Sequence, residues 1–74
     1  MTLAELAVGG RAVVRNIAGT DDISGRLLEM GLTPGTPLTV VGTAPLGDPL
    51  ELELRGYRLS VRKSEAVRVE IESA

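Results

Sequence analysis

The chain has 74 residues, of which 43% are hydrophobic and 24% are charged, and it contains no Cys and no His. A chain of this length has a thin core, so we expect residues 1–74 to fold as a single domain. Because thiols and imidazoles are absent, the chain lacks disulfides, the common transition-metal ligands and the usual nucleophile–base pairs, and we expect neither an enzyme nor a bound cofactor. Eight basic and ten acidic side chains give a net charge of −2. That balance disfavours nucleic acid as a partner, because phosphate binding needs a basic surface.

Two short elements are predicted near the N-terminus. Thr2 and Glu5 have the spacing of a capping box, which indicates a short N-terminal helical turn that Gly9 and Gly10 would end. Arg11 to Ile17 has the β-branched content of a strand. No apolar run is long enough to span a membrane, and the first residues lack the basic start of a signal peptide. We therefore expect a soluble, cytoplasmic domain without membrane insertion.

One α-helix is predicted after this strand. It would begin at Thr20 or Asp21, whose side chains are typical N-caps. It would end at Gly31, in the left-handed conformation that glycine tolerates best. Leu27 and Leu32 would then form the apolar contact that accompanies such a helix end.

The predicted helix has an apolar face and an unexplained apolar residue outside it. Ile23, Leu27 and Met30 fall within one stripe at about 100° per residue, which indicates the side facing the core. Leu28 lies outside that stripe. Gly25 costs roughly 1 kcal/mol relative to Ala in mid-helix, which suggests close approach of another backbone or of a partner. The alternative is that Leu28 and Gly25 simply pack under a neighbouring loop.

The second half of the chain reads as strands joined by turns. Pro37 to Thr43 is predicted as a strand, Ala44 to Pro49 (APLGDP) as a loop, and Leu50 to Leu54 with Tyr57 to Val61 as a hairpin around a two-residue turn. In this hairpin Leu54 would face Tyr57, Leu52 would face Leu59, Leu50 would face Val61, and Glu53 would pair with Arg58 on the opposite side.

The chain is predicted to close with a turn and one more strand. Lys63 to Ala66 would form the turn, and residues 67–72 alternate apolar and charged side chains as a strand does. Five short antiparallel strands of this size are expected to curl into a small barrel, since curling removes unpaired edges. The predicted class is all-β, with one inserted α-helix; any edge left exposed would permit weak self-association.

The acidic residues do not predict a metal site. Hard cations need several oxygens that converge on one point. The five candidates are better explained by helix starts, turns and cross-strand pairs, so we expect no bound metal: Asp21, Asp22, Asp48, Glu51 and Glu53.

Leu46 is a second exposed apolar candidate, at the tip of the loop 44–49. Single exposed leucines are common and need no function. If Leu28 and Leu46 share one surface they form an apolar binding patch; if they do not, neither carries meaning.

Most of the chain resembles the FeoA family, in the stretches LAELAVGGRAVV, GRLLEMGLTPGTPLTVV and APLGDPLELELRGYRLSVRKSEAVRVEI. The densest match covers Arg26 to Thr36, Ala44 to Pro49 and Arg55 to Leu59. The resemblance implies an SH3-like barrel with a helix after the first strand. It also implies a cytoplasmic accessory role in bacterial ferrous iron uptake, with the membrane transporter FeoB, which has an N-terminal GTP-binding domain, as partner.

The resemblance also narrows the interaction residues. Family positions already explained by the fold, such as Gly31 and Leu27, are set aside. The candidate partner-binding residues are Arg26, Leu28, Met30, Pro45, Leu46 and Asp48.

An alternative is kinship with the C-terminal barrel of DtxR-type iron-dependent repressors, acting in regulation or weak metal binding. We expect that no helix-turn-helix precedes the barrel, and this expectation disfavours a free-standing regulator.

Overall fold

Five antiparallel strands form one curled sheet in the order β4-β3-β2-β1-β5. The computed structural model describes all 74 residues. Its elements are a 3-10 turn at Leu3–Glu5, β1 at Arg11–Ile17, α1 at Asp22–Glu29, β2 at Pro37–Thr43, a 3-10 turn at Pro45–Gly47, β3 at Leu50–Leu54, β4 at Tyr57–Val61, α2 at Lys63–Ala66 and β5 at Val69–Ser73. The predicted SH3-like barrel of five antiparallel strands with an inserted helix is confirmed.

Two irregularities in the ladders bend the sheet. The register between β1 and β5 shifts between Val14 and Asn16. The register between β2 and β3 shifts between Val40 and Gly42. Bulges of this kind increase the local twist of a strand. They allow a five-stranded sheet to wrap around its own apolar face.

The core lies inside the curl and is entirely aliphatic. It draws on every strand, on α1 and α2, and on the N-terminal turn, and each member is less than a tenth exposed. The fifteen apolar residues are Leu3, Ala12, Val14, Ile17, Leu27, Leu32, Leu38, Val40, Leu50, Leu52, Leu54, Val61, Ala66, Val69 and Ile71.

The β3–β4 hairpin has the register that the sequence predicts. Arg55 and Gly56 have φ values of 50° and 83°, so both turn residues are left-handed, as a type I′ turn requires. Leu54 faces Tyr57 across the turn. The further pairs are Glu53 with Arg58, Leu52 with Leu59, Glu51 with Ser60 and Leu50 with Val61.

Both predicted ends of α1 are confirmed. Asp21 is the N-cap, and its carboxylate accepts the backbone N–H three residues further on at 3.2 Å. At the other end Gly31 has φ 107° and donates its N–H to the Leu28 carbonyl at 3.0 Å. The N–H of Leu32 reaches the Leu27 carbonyl at 3.2 Å, and both leucine side chains are buried. This is a Schellman motif with its apolar contact.

The segment after β4 differs from the prediction. Lys63–Ala66 forms a one-turn helix, α2, in which the Glu65 carboxylate accepts the N–H of Arg62 at 3.2 Å. Since the helical turn includes its C-cap Val67, the last strand begins only at Val69. Val67 is therefore exposed, and the expectation that it belongs to the strand is wrong.

Candidate docking surface

Helix α1 presents two leucines to different environments. Leu27 is 0% exposed in the core, whereas its neighbour Leu28 is 40% exposed. Ile23 and Met30 are partly buried and pack against the core, as the predicted apolar stripe requires. Packing within the domain thus buries the Leu28 side chain only in part.

The space beside Gly25 is open. A Cβ atom built on this residue would meet no atom within 4 Å outside the helix's own backbone and the two neighbouring residues. The interpretation that Gly25 makes room for another segment of this chain is therefore wrong, and so is the alternative that it packs under a loop. Nothing within the domain explains a helix-weakening glycine at this position.

Arg26 lies on a different side of α1 and has a partner within the chain. Its guanidinium bonds to the Glu65 carboxylate of α2, 39 residues away. Glu65 also caps α2 through the N–H of Arg62. Arg26 therefore helps to hold α1 against α2, which is a structural role. Its side chain is nevertheless mostly exposed, so a partner can still contact it.

The loop 44–49 holds Leu46 fully exposed. Leu46 has φ 76°, a conformation that costs a side-chain-bearing residue about 1–2 kcal/mol. The turn around it is closed by the Gly47 N–H on the Ala44 carbonyl at 2.9 Å and the Ala44 N–H on the Pro49 carbonyl at 3.0 Å. The peptide bond between Asp48 and Pro49 is cis. A bulky apolar side chain is thus held away from the domain by a tightly bonded loop.

Asp48 attaches this loop to α2. Its carboxylate accepts the backbone N–H of Lys63 at 3.0 Å. The Lys63 ammonium also lies next to Gly47, 3.6 Å from where a Cβ would be. The side-chain cations of Arg62 and Lys63 have no carboxylate oxygen within 4.0 Å. An ammonium without an ion-pair partner therefore lies beside the residue that follows Leu46, a feature that the sequence interpretation missed.

The structure brings together only some of the candidate residues. A chain of contacts runs from Asp48 through Lys63 and the rest of α2 to Glu65 and Arg26. Leu28 is two positions from Arg26 and so about 160° around the helix axis from it. The loop and Arg26 are thus joined through α2, and Leu28 projects from the side of α1 opposite Arg26.

Met30 is explained mainly by the fold. Its side chain packs against the core, and its carbonyl oxygen accepts the Tyr57 hydroxyl at 2.5 Å. Tyr57 is half-exposed and joins the hairpin to the end of α1. Both Met30 and Tyr57 are less exposed than Leu46.

Four of the five acidic side chains considered as metal ligands bond to other parts of the chain. No group of three or more Asp or Glu side chains is placed to hold a metal ion. Arg68 donates to Asp21 at 2.5 Å, and this contact, with the N–H of Ser24, holds the pKa of the Asp21 carboxyl below its ordinary value. The remaining pairs are Asp48 with the Lys63 N–H, Glu51 with the Ser60 hydroxyl at 3.0 Å, and Glu53 with Arg58 at 3.6 Å.

One small cleft lies at the other end of the sheet. Its volume is about 190 Å³, below the roughly 300–1,000 Å³ of ordinary ligand pockets. Its polar lining includes Arg11, Thr39, Glu53 and Arg55, and it contains none of the candidate interaction residues. Neither helix of the structure is long and apolar enough to cross a bilayer. The exposed helix and loop are thus better placed for a macromolecular contact than for a small-molecule site.

Comparison with proteins of known sequence identifies a fusion relative. The chain is 39% identical over 72 residues to the Fe(2+) transport protein A/Fe(2+) transporter FeoB fusion protein of Porphyromonas gingivalis. That match covers 97% of this chain and 8% of the fusion protein, so the chain corresponds to a small part of the relative.

Solved structures share the fold over nearly the whole chain. The FeoA-like protein from Clostridium acetobutylicum has a TM-score of 0.92 at 37% identity, covering 99% of this chain and 85% of its own. The zinc complex of Stenotrophomonas maltophilia FeoA, described as a prokaryotic SH3 domain protein, has a TM-score of 0.84 at 36% identity, with coverage of 97% and 89%. The manganese regulator SloR shares the fold alone, with a TM-score of 0.85 at 18% identity over 100% of this chain and 34% of its own.

The family model of the FeoA domain matches residues 1–73, which is all but the last residue. Helix, loop and hairpin stand in the structure where the family resemblance places them. The chain therefore belongs to the FeoA family.

Proposed function

We propose that this domain is a non-catalytic accessory protein of ferrous iron uptake, which acts in the cytoplasm by binding a FeoB-type transporter. The observation that carries the proposal is the Porphyromonas gingivalis relative, in which an FeoA-like segment and FeoB form one chain. Covalent fusion keeps two modules at high effective concentration. It is favourable where the modules work together, and separate chains must then replace the linker with a docking surface.

The proposed docking surface consists of α1 and the loop 44–49. Leu28 and Leu46 are the two apolar side chains on it that the fold leaves exposed. An apolar anchor that enters a partner's pocket contributes most of the affinity at many interfaces. Because Leu28 points away from the Arg26 side of α1, the two leucines do not form one apolar patch, and we propose each as a separate anchor. Leu46 is proposed because its loop holds it exposed at positive φ, and Leu28 because the helix beside it is open at Gly25.

Charge next to the loop favours an acidic partner surface. The guanidinium of Arg62 and the ammonium of Lys63 have no carboxylate oxygen within 4.0 Å, whereas Arg26 is already paired with Glu65. Free cations at the edge of an interface speed association with an acidic surface and make it dependent on salt. The proposed site on the transporter is therefore an apolar pocket bordered by carboxylates.

The test is an NMR titration of the ¹⁵N-labelled domain with the GTP-binding domain of its transporter, with and without nucleotide. Shifts confined to residues 26–35 and 44–49 are expected. Leu28→Glu should abolish them while the spectrum of the free domain stays that of a folded protein. Val8→Glu is the matched control, since Val8 is also an exposed apolar residue but lies between the N-terminal turn and β1.

Unchanged affinity in both Leu28→Glu and Leu46→Glu would overturn this docking surface. Equal loss in the Val8→Glu control would show that the effect of a new charge is general rather than local. Absence of any shift at high concentration would remove the GTP-binding domain as the partner site.

Metal binding is the competing function, because the Stenotrophomonas maltophilia relative was solved with zinc. In this chain four of the five candidate carboxylates bond to other groups, and no three acidic side chains are placed to hold an ion. Calorimetry with Fe²⁺ under anaerobic conditions separates the two proposals, since a docking module should give no binding heat with the metal alone.

A further inference from the structure

The two edge strands of the sheet differ in whether other parts of the chain bond to their outer side. The outer edge of β5 is covered, because Thr2 forms a bridge with Glu70 and the Ile71 N–H bonds to the Met1 carbonyl at 3.0 Å. The outer edge of β4 has no such cover, since β3 is its only neighbour in the sheet. One edge of the barrel is therefore open to pairing.

The hairpin register shows which groups that open edge presents. Leu54 and Tyr57 close a two-residue type I′ turn, so they bond to each other through both backbone groups. The alternation of an antiparallel ladder then turns the N–H and C=O groups of Arg58 and Ser60 away from β3. No other backbone or side-chain group of the chain bonds to them. The strand contains no proline and no bulge, which are common protections of an edge.

We propose that β4 pairs with β4 of a second copy of this chain, antiparallel and with the two-fold axis at Leu59. In this register Arg58 of one copy lies opposite Ser60 of the other, and four N–H···O bonds form between the outward N–H and C=O groups of these two residues in each copy. Leu59 then faces Leu59 of the second copy on the apolar side of the sheet. The inference does not depend on the proposed transporter partner.

Charge selects this register among those that match the outward groups. A shift in one direction puts Arg58 opposite Arg58, and a shift in the other puts Arg58 opposite Arg62, so both place like charges directly across the new ladder. In the central register Arg58 keeps Glu53 at 3.6 Å on its own chain. Its new neighbour Ser60 bonds to Glu51 at 3.0 Å. Across the joined sheets the side chains then follow in the order Glu53, Arg58, Ser60 of the second copy and Glu51 of the second copy, so no two like charges are direct neighbours.

The pairing should be weak and dependent on concentration. Four hydrogen bonds and one strand's side chains bury less than the roughly 1,200 Å² of a stable interface. We therefore expect monomers at micromolar concentration and a detectable dimer near millimolar concentration. Amide shifts in a ¹⁵N dilution series should be confined to β4 and centred on residues 58–60.

Proline substitution tests the free edge without opening the hairpin. Ser60→Pro removes an N–H that points away from β3, so the β3–β4 ladder should persist, as it does for prolines on edge strands. The concentration-dependent shifts should disappear in Ser60→Pro and remain in the matched control Ser60→Ala, which keeps the N–H. The spectrum of dilute Ser60→Pro reports whether it is folded.

Cysteine cross-linking tests the register independently, because the natural chain contains no Cys. In an equimolar mixture of Arg58→Cys and Ser60→Cys chains, oxidised by glutathione disulfide, the mixed dimer should form at well over twice the yield of either homodimer, which is the ratio that random pairing gives. Opposite residues of a bonded pair lie about 5.5 Å apart, within disulfide reach, whereas identical residues in this register are diagonal and beyond about 7 Å. A mixed dimer at no more than twice the yield of each homodimer, or no shifts up to millimolar concentration, would overturn the proposal. Shifts in β4 that arise only when the transporter domain is added would assign the edge to a transporter strand instead.

Discussion

Replacing Gly25 with Ala should stabilise the isolated domain. Gly25 lies inside α1, and its new Cβ would meet no atom within 4 Å. In a helix interior Gly is less favourable than Ala by about 0.5–1 kcal/mol, mainly through backbone entropy. A 74-residue domain has a free energy of unfolding of roughly 4–11 kcal/mol. The gain would therefore be an appreciable fraction of the whole, and we expect the midpoint of thermal unfolding to rise by about 3–8 °C.

Urea denaturation measures this gain, and Gly35→Ala is its control. A Cβ at Gly35 would also meet no atom within 4 Å, but its φ is 91°, so the same methyl group should cost about 1–2 kcal/mol in backbone strain. Opposite signs at the two sites are expected. A loss of stability in Gly25→Ala would refute the conclusion that this side of α1 is open. A more stable Gly25→Ala domain that binds the transporter less tightly would identify Gly25 as a contact residue.

Two further substitutions test the ends of α1. Gly31→Ala should lower the free energy of unfolding, measured in urea, by about 2–3 kcal/mol. The substitution adds left-handed backbone strain, and the new Cβ would overlap the Tyr57 hydroxyl, which must then release its hydrogen bond to the Met30 carbonyl at the helix end. A loss no larger than that from backbone strain alone would contradict the overlap. Asp21→Asn keeps an N-capping side chain but removes the charge that Arg68 binds, so the variant should be less stable than the parent at neutral pH. Since the pKa of Asp21 lies below its ordinary 3.8, the stabilisation is complete above that pH and is lost as the pH falls through the lowered value; urea curves of parent and variant should converge in acid, and a constant gap would contradict the assignment.

The parts of the fold that were predictable are set by local rules. The hairpin register follows from a two-residue turn and from period-two alternation, which a shift of one residue would reverse. The end of α1 follows from Gly31 and the paired Leu27 and Leu32, all within one helical turn. Both features depend on interactions between residues that are close together in the sequence, so the sequence alone is enough to predict them.

Helix α2 was missed because its stability depends on distant residues. Four residues are too few to form a helix unaided. Glu65 caps the turn and bonds to Arg26, and Asp48 accepts the N–H of Lys63 from the loop 44–49. The partners of Arg26 and Asp48 lie 39 and 15 positions away. The periodicity of apolar residues does not reveal contacts between residues so far apart. The connection between Arg26 and the loop through α2 therefore could not be predicted from the sequence.

The departures of this chain from local rules are concentrated on the proposed docking surface. Leu46 is an exposed apolar residue at positive φ, Gly25 weakens a helix without relieving any contact, and Leu28 is apolar outside the core-facing stripe. The other side-chain-bearing residue at positive φ, Arg55, is explained by its type I′ turn. Conflicts between local preference and global fold are expected at functional sites, because elsewhere selection for stability removes them. The unfavourable terms at these three residues of α1 and the loop 44–49 are thus what we expect if contacts with a partner offset them in the complex.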